Sequence, residues 1–220
     1  MEEEPAGGGS EPCLGHLLVD GHPVDPQTVR DVARFRRAER ARLLQARTRP
    51  VAEARKAADV LEDALAGLVA PAPGQRIAVY WPIRGEPDLR GWMREAHEAG
   101  ARVLLPVVVR KDAPLAFRRW TPGCRMERGL WNIPVPAEGE SEHPDTVIAP
   151  LVGVDEALFR LGNGGGYYDR TLVRLEPRPH VIGVGFAECR LRTIFPMPWD
   201  VPMNVVILSD GTRLQARGPV

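Results

Sequence analysis

The chain has 220 residues, and its 29 basic and 29 acidic side chains give a net charge of zero. A chain of this size buries roughly 70% of the surface that its unfolded form exposes, which is enough for one core, so a single domain is expected. The neutral balance argues against a protein that is basic all over and binds nucleic acid by charge alone. A site for a polyanion must therefore be a local cluster.

The apolar runs and the cysteines indicate in which cellular compartment the protein is expected. No apolar run near the start is long enough for a signal peptide or a membrane span. Cys13, Cys124 and Cys189 are widely spaced, and none belongs to a C-x-x-C or a zinc-ligand pattern. These features are typical of a cytoplasmic protein in a reducing compartment, with no membrane partner and no structural metal.

The first residues differ sharply from those that follow. Residues 1–27 carry six acidic and no basic side chains and show no apolar periodicity, so we predict a disordered or loosely ordered acidic extension. Residues 28–56 carry ten basic side chains against three acidic ones. We expect a single α/β domain over residues 28–212 and a short tail over residues 213–220.

The remaining pattern alternates between the two periods of helix and strand. Two helices are predicted first, from Thr28 to a break at Pro50 and from there to about Val69. Further elements are predicted in this order: strand 77–81, helix 88–99, strand 103–109, strand 115–120, a Gly- and Pro-rich loop 122–144, strand 145–152, helix 167–175, strand 181–186 and strand 204–208. This order predicts a three-layer α/β/α sandwich of Rossmann-like type with a mixed, largely parallel open sheet.

The densest motif is a glycine-rich loop between a predicted strand and a predicted helix. It reads Arg-Leu-Gly-Asn-Gly-Gly-Gly-Tyr-Tyr-Asp-Arg over residues 160–170, with four glycines in five positions. Such a loop lets backbone N–H groups turn toward an anion, and Arg160 could fork onto a phosphate. The loop lacks both the G-K-[ST] ending of a P-loop and the spacing of a dinucleotide fingerprint. A tight turn, with Asp169 serving only as a charge at the helix start, is the alternative.

The same loop strongly resembles the signature of the 5-formyltetrahydrofolate cyclo-ligase family, also called methenyltetrahydrofolate synthetases. Other segments resemble the family in the right order: Tyr80-Trp-Pro-Ile-Arg-Gly-Glu86, Trp131-Asn-Ile-Pro-Val-Pro and Trp199-Asp200-Val-Pro. The arginine-rich first helix occupies the place of a family pair of basic residues four positions apart. The resemblance covers roughly residues 30–208, which makes it far more specific than any one motif.

The resemblance implies an activity and a set of substrates. Members of the family use ATP and magnesium to convert 5-formyltetrahydrofolate to 5,10-methenyltetrahydrofolate, releasing ADP and phosphate through a phosphorylated imidate. Small molecules are thus the expected partners, with no nucleic acid, for a monomer or a weak homodimer. Phosphoryl transfer of this kind asks the protein for positioning and charge neutralisation. The absence of an obvious Ser-His-Asp or Cys-His set agrees with it.

The resemblance also assigns roles to residues of this chain. Arg160 and Tyr168 are the catalytic candidates, and Asp169 and Asp200 the candidates for holding Mg²⁺. Substrate contacts are expected from Trp81, Glu86, Trp131, Gly164, Gly165, Gly166 and Tyr167. ATP contacts are expected from Arg36, Arg40, Arg160, Leu161, Gly162, Asn163, Gly164, Gly165, Gly166, Tyr167 and Tyr168. Arg34, Arg37, Arg42 and Arg47 offer competing pairs on the first helix.

Two other functions are compatible with parts of the sequence. A non-catalytic relative could bind a nucleotide or a folate, or use the basic helix on RNA; such RNA binding would fall steeply with salt. A nicotinamide-dependent enzyme is the other alternative, and it lacks the early glycine fingerprint that dinucleotide binding uses.

Overall fold

A mixed sheet of seven strands lies at the centre of the computed structural model, which describes residues 17–19 and 21–215. The helices of the described residues are α1 (Pro26–Ala46), α2 (Val51–Leu68), α3 (Arg90–Glu98) and α4 (Tyr167–Leu172), with 3-10 turns at Leu130–Asn132 and Ala187–Cys189. The strands are β1 (Leu17–Val19), β2 (His22–Val24), β3 (Arg76–Ala78), β4 (Arg102–Val107), β5 (Ala116–Arg119), β6 (Met126–Arg128), β7 (Pro134–Pro136), β8 (Thr146–Pro150), β9 (Gly153–Val154), β10 (Arg160–Leu161), β11 (His180–Gly185), β12 (Val205–Leu208) and β13 (Arg213–Gln215).

The strand order of the central sheet is β13-β12-β11-β8-β3-β4-β5. Its five inner strands run parallel, and β5 and β13 are antiparallel strands at the two edges. From β3 the chain first adds β4 and β5 on one side, and later returns to place β8 on the other side. The order therefore reverses between β3 and β8, where open α/β sheets form ligand-binding crevices.

Two apolar layers cover the two faces of the sheet. On one face Leu61 and Leu65 of α2 and Trp92 of α3 pack against strand residues such as Ile77 and Ile148. The other face is covered by Leu172 of α4 and by irregular segments that supply, among others, Leu158 and Met203. Strand side chains alternate between the two layers, as the pleat requires. The predicted α/β sandwich with a largely parallel sheet is confirmed, although α4 is a helix of only six residues.

The described residues contain four strand pairings that the sequence did not predict, one of which joins β9 and β10 just before the glycine-rich loop. β1 and β2 form a hairpin within the predicted acidic extension, whose residues up to 16 lie outside the described part of the chain. β6 and β7 form a second hairpin inside the predicted loop 122–144. β13 extends the sheet at residues assigned to the tail. Each of these strands has only two or three residues, which is too short to show the longer apolar runs from which the inner strands were predicted.

The first helix begins slightly earlier than predicted. Asp25 caps it by accepting hydrogen bonds from the backbone N–H groups of Gln27 and Thr28, and Pro26 occupies the first turn, where a missing N–H has no cost. Across the described residues, none of the helices has the length and apolar character needed to cross a bilayer.

Candidate functional site

A cavity of about 1030 Å³ opens at the carboxyl ends of β3 and β8. Tyr80 and Trp81, just after β3, and Pro150, at the end of β8, contribute to its wall. The cavity thus lies where the strand order reverses, which is the usual ligand site of an open α/β sheet.

Every residue that the sequence analysis assigned to a site lines this one cavity. They come from α1, from the β3–α3 loop, from the turn after β6, from the glycine-rich loop with α4, and from the segment before β12. The set comprises Arg36, Arg40, Trp81, Glu86, Trp131, Arg160, Leu161, Gly162, Asn163, Gly164, Gly165, Gly166, Tyr167, Tyr168, Asp169 and Asp200. The structure places these residues together, while their individual roles stay predictions.

The glycine-rich loop follows a short strand and turns sharply into α4. Gly164 and Gly166 have φ angles of +103° and +63°, which side chains rarely adopt. A β-carbon at Gly162 would lie 2.5 Å from Nη1 of Arg160, and one at Gly165 would lie 2.6 Å from the ring of Tyr167. The loop therefore has glycine at these positions because it lies directly against the arginine and the tyrosine.

Substitution of Gly162 by alanine is expected to displace the Arg160 guanidinium, because the added β-carbon would lie 2.5 Å from its Nη1, closer than two such atoms can approach. We expect the affinity for ATP, measured by calorimetry, to fall by roughly tenfold or more, since such sites tolerate little misplacement. Gly67→Ala in α2 is the matched control: its β-carbon would meet nothing within 4 Å. Unchanged ATP affinity in Gly162→Ala would show that the loop does not position Arg160 for a ligand.

Arg160, Asp169 and Tyr168 form one cluster in the cavity wall. Nη2 of Arg160 lies 3.0 Å from Oδ2 of Asp169, and the two side chains are only 6% and 14% exposed. The guanidinium also lies 4.7 Å from the ring centroid of Tyr168. Burial raises the pKa of the Tyr168 phenol, so the hydroxyl stays protonated and can donate a hydrogen bond. The cluster holds a planar cation in a fixed orientation beside the glycine-rich loop.

Arg40 adds a second cation next to the same loop. Its Nε donates a hydrogen bond of 2.7 Å to the carbonyl oxygen of Gly162, and its guanidinium lies against Gly164. Burial, followed by the charges of Arg36 and Arg37, lowers the pKa of Arg40, because no carboxylate compensates it. Within residues 17–19 and 21–215 its two terminal nitrogens donate no hydrogen bond and form no salt bridge. Arg40 is thus a half-buried guanidinium with donors available for an anion.

Arg36, the other predicted member of the pair, is used differently. Nη1 and Nη2 fork onto the two carboxylate oxygens of Asp200 at 3.1 and 2.5 Å, and Nε and Nη2 also donate to the carbonyl oxygens of Ile194 and Phe195. Asp200 additionally accepts a hydrogen bond from the backbone N–H of Met197. Arg36 therefore anchors the segment that carries Asp200, and its donors are engaged within the protein.

Another part of the cavity contains a buried carboxylate and aromatic rings. Glu86 is 8% exposed; its Oε2 accepts from the backbone N–H of Ile83 at 3.1 Å and its Oε1 from Nδ2 of Asn163 at 3.3 Å. Burial raises the pKa of Glu86. Trp131 is 56% exposed, has a φ of +57° and meets the ring of Tyr167 edge to face at 5.3 Å. This part can present a hydrogen-bond acceptor and an aromatic surface to a flat heterocycle.

Several residues at or behind the cavity wall were not predicted there, and Arg47 was named only as one of the competing arginines of the first helix. Arg84, Arg170, Arg174 and His22 line the cavity, the last from the hairpin of the predicted extension. Arg47 lies behind Glu86 and is 4% exposed. A signal for Arg47 existed: Arg36, Arg40, Leu43 and Arg47 recur at three- and four-residue intervals, so they lie on one face of α1.

The donor set fits a magnesium ion that arrives with a nucleotide. No group of three or more His, Cys, Asp or Glu side chains within the described ranges could hold a metal ion. Mg²⁺ commonly keeps several waters and binds through one or two carboxylates together with substrate phosphates. Asp169 suits that role, since its Oδ1 has only a 3.3 Å contact with the N–H of Val201. Asp200 suits it less, because Arg36 forks onto both of its oxygens.

Comparison with known proteins connects this site to one family. The sequence model of the 5-formyltetrahydrofolate cyclo-ligase family matches residues 32–209. A 5-formyltetrahydrofolate cyclo-ligase of Mycolicibacterium smegmatis is 36% identical over 179 residues, which cover 76% of this chain and 90% of that protein. One of Escherichia coli K12 is 33% identical over 139 residues, which cover 60% and 76%. The solved structure of Aquifex aeolicus 5,10-methenyltetrahydrofolate synthetase has a TM-score of 0.73 and 27% identity, covering 84% of this chain and 95% of that one.

Proposed function

Since the chain belongs to the 5-formyltetrahydrofolate cyclo-ligase family, we propose that it converts 5-formyltetrahydrofolate to 5,10-methenyltetrahydrofolate in the cytoplasm, consuming ATP with magnesium and releasing ADP and phosphate. One observation carries the proposal: a single cavity of about 1030 Å³ combines a cationic part around Arg40 and Arg160 with a part that holds Glu86 and exposed aromatic rings. Small-molecule sites commonly span roughly 300–1,000 Å³, so this cavity lies at the upper end of that range, as expected where two substrates bind side by side.

The cationic part is the proposed site of the triphosphate. The guanidinium groups of Arg40 and Arg160 both contact glycines of the loop, Arg40 at Gly162 and Gly164 and Arg160 at Gly162. Two planar cations can neutralise the charge that spreads over the γ-phosphate oxygens during transfer. The N–H groups of the loop add donors, since the glycines let the backbone approach a phosphate closely.

The folate is proposed to bind with its pterin ring at Glu86. The aminopyrimidine part of a pterin presents N–H donors, and an ionised carboxylate is the matching acceptor. Asn163 links this part to the nucleotide part, because it belongs to the glycine-rich loop and donates to Glu86. Trp81 and Trp131 supply ring surfaces, and the 56% exposure of Trp131 leaves its indole accessible to a ligand.

The chemistry follows from holding the two substrates in line. The formyl oxygen attacks the γ-phosphorus, the bond between that phosphorus and the leaving ADP oxygen breaks, and the folate carries a phosphorylated imidate. N10 then attacks the formyl carbon and loses its proton, and phosphate departs with the electrons of the C–O bond. The protein has to position the two substrates and to neutralise the charge on the phosphoryl group. The Arg160, Tyr168 and Arg40 side chains can do both without a covalent bond between protein and substrate.

Magnesium belongs to the proposal as a companion of the nucleotide. Asp169 would hold it through its carboxylate, with Asp200 as a second candidate, and the bound ion would supply charge neutralisation at the phosphates. The Asp169 carboxylate also contacts Arg160, so it can set the spacing between the metal and the guanidinium.

The test is a turnover assay with the purified full chain. With 5-formyltetrahydrofolate, ATP and magnesium, we expect the absorbance of the methenyl product to appear with one ADP formed per product. Mixtures without ATP, without magnesium or without protein are the controls. Product formation no faster than in the mixture without protein would overturn the proposed function.

A further inference from the structure

We propose that Arg47 is a positioning residue for folate binding: from behind the cavity wall it keeps the Glu86 carboxylate ionised and aimed at the pterin. This inference rests on the proposed function. Arg47 does not itself belong to the cavity lining, whereas Glu86 does. Of the groups that Arg47 contacts, Glu86 is the charged one that lines the cavity, so we assign the effect on a ligand to Glu86.

The Arg47 side chain is held by contacts with the backbone of neighbouring segments. Arg47 caps the carboxyl end of α1, and its Nη2 donates to the carbonyl oxygen of Leu151, just after β8. Its stem passes over Gly85, where a β-carbon would lie 3.5 Å from Cγ and Cδ of Arg47. Arg47 thus joins α1 to the residue that follows β8 and to the β3–α3 loop that carries Glu86.

The second nitrogen of the fork has no partner of its own. Nη1 of Arg47 is buried without a hydrogen bond among the described residues, and it lies 3.9 Å from Oε1 of Glu86. The side chains of this pair are 4% and 2% exposed. A buried cation with an unused donor is costly unless an anion stands close by. Glu86 is that anion, and Nη1 needs to move only slightly to form a direct hydrogen bond with it.

The surroundings of Glu86 make its ionisation depend on this neighbour. Burial raises the pKa of Glu86, while the N–H of Ile83 and then the charge of Arg47 oppose that rise. The other titratable groups that face it are Arg84, which opposes the rise more weakly, and the phenols of Tyr80 and Tyr168, which burial keeps protonated. Arg47 is therefore the leading charge that favours the ionised form.

The protonation state of Glu86 determines how folate affinity changes with pH. An ionised Glu86 accepts hydrogen bonds from the pterin N–H groups, whereas a protonated one has an O–H that competes with them. Folate affinity is then present above the pKa of Glu86 and lost as the pH falls through it. Removing the positive charge of Arg47 raises this pKa further, so the loss of affinity moves to higher pH.

Binding of 5-formyltetrahydrofolate to the full chain without nucleotide, measured by calorimetry over a pH series, tests the inference. We expect Arg47→Gln to weaken binding at neutral pH by about tenfold or more. Its pH midpoint should lie above that of the unmodified protein, while the affinity for ATP changes little. Arg47→Lys keeps a charge and should restore the midpoint even if some affinity is lost. Arg30→Gln, an exposed arginine of the same helix that donates to Gln27 and lies outside the cavity lining, is the matched control.

A double-mutant cycle separates positioning from a general structural effect. In Glu86→Gln the folate affinity should be weak and independent of pH, and adding Arg47→Gln should change it little further. The inference is overturned if Arg47→Gln leaves the midpoint unchanged, or if it weakens ATP and folate equally. Should Arg47→Gln fail to fold, an unchanged midpoint in Glu86→Gln would overturn it as well. Failure of the unmodified protein to bind the folate would instead count against the proposed function.

Discussion

Replacement of Arg160 by glutamine is expected to lower kcat for methenyl formation by about 10³-fold. The guanidinium is buried, lies 3.0 Å from Asp169 and stacks near the Tyr168 ring, so these contacts hold it at one point of the cavity wall. A fork fixed in this way contributes most when charge develops on the transferred phosphoryl group. The loss should therefore fall on kcat more than on the KM for the folate.

Two further variants test whether the loss of rate comes from the Arg160 guanidinium itself. Arg160→Lys keeps the charge but loses the fork and the stacking on Tyr168, so it should recover only part of the rate. Arg125→Gln is the matched control, because Arg125 is exposed, pairs with Glu138 and lies outside the cavity lining. Rates are to be compared with melting temperatures, since Arg160→Gln leaves Asp169 without its partner. If kcat of Arg160→Gln stays within about tenfold of that of the unmodified protein, Arg160 does not contribute to phosphoryl transfer.

Asp169→Asn is the second substitution with a large expected effect. The amide has nearly the shape of the carboxylate, but its one oxygen can accept from only one of the two donors, Arg160 at Oδ2 or the N–H of Val201 at Oδ1. We expect that oxygen to face Arg160, which keeps the 3.0 Å contact and the loop conformation, while the longer contact with Val201 is lost. What is lost is the negative charge that we assign to magnesium. We expect kcat to fall by about 10²-fold and the magnesium concentration for half-maximal rate to rise.

The Asp200→Asn variant discriminates between the two metal candidates. Asp200 is engaged by Arg36 through both oxygens, so its loss should loosen the segment that packs on α1 without moving the magnesium dependence. A magnesium titration of both variants measures the difference. If Asp200→Asn shifts the titration and Asp169→Asn does not, the assignment of the metal to Asp169 is wrong.

The inner strands could be predicted because their apolar sequences are typical of buried strands. Strands buried on both faces read as continuous apolar runs, as in Val147, Ile148 and Ala149 of β8. The added strands are short, and β13 contains Arg213 and Gln215, both exposed. Such segments pair because a neighbouring edge is available, and an edge created by tertiary structure leaves no local trace in the sequence.

The cavity lining was predictable from the family resemblance, whereas the partners of its charged groups were not. The sequence showed Arg36 and Arg40 four positions apart on one helix, which predicts two equivalent forks. The fold makes them unequal, because it brings Asp200, 164 positions away, onto Arg36 and leaves Arg40 at the glycine-rich loop. Arg47 shares their helix face, yet only the burial of Glu86 against it reveals what it does.

The direct test of phosphoryl transfer in this cavity is the fate of the formyl oxygen. 5-Formyltetrahydrofolate labelled with heavy oxygen in the formyl group is incubated with the purified protein, ATP and magnesium, and the released phosphate is analysed by mass spectrometry. If the formyl oxygen attacks the γ-phosphorus, each released phosphate carries the label, and Arg160→Gln slows its appearance together with product. Unlabelled phosphate released alongside the methenyl product would show that the formyl oxygen does not attack the γ-phosphorus.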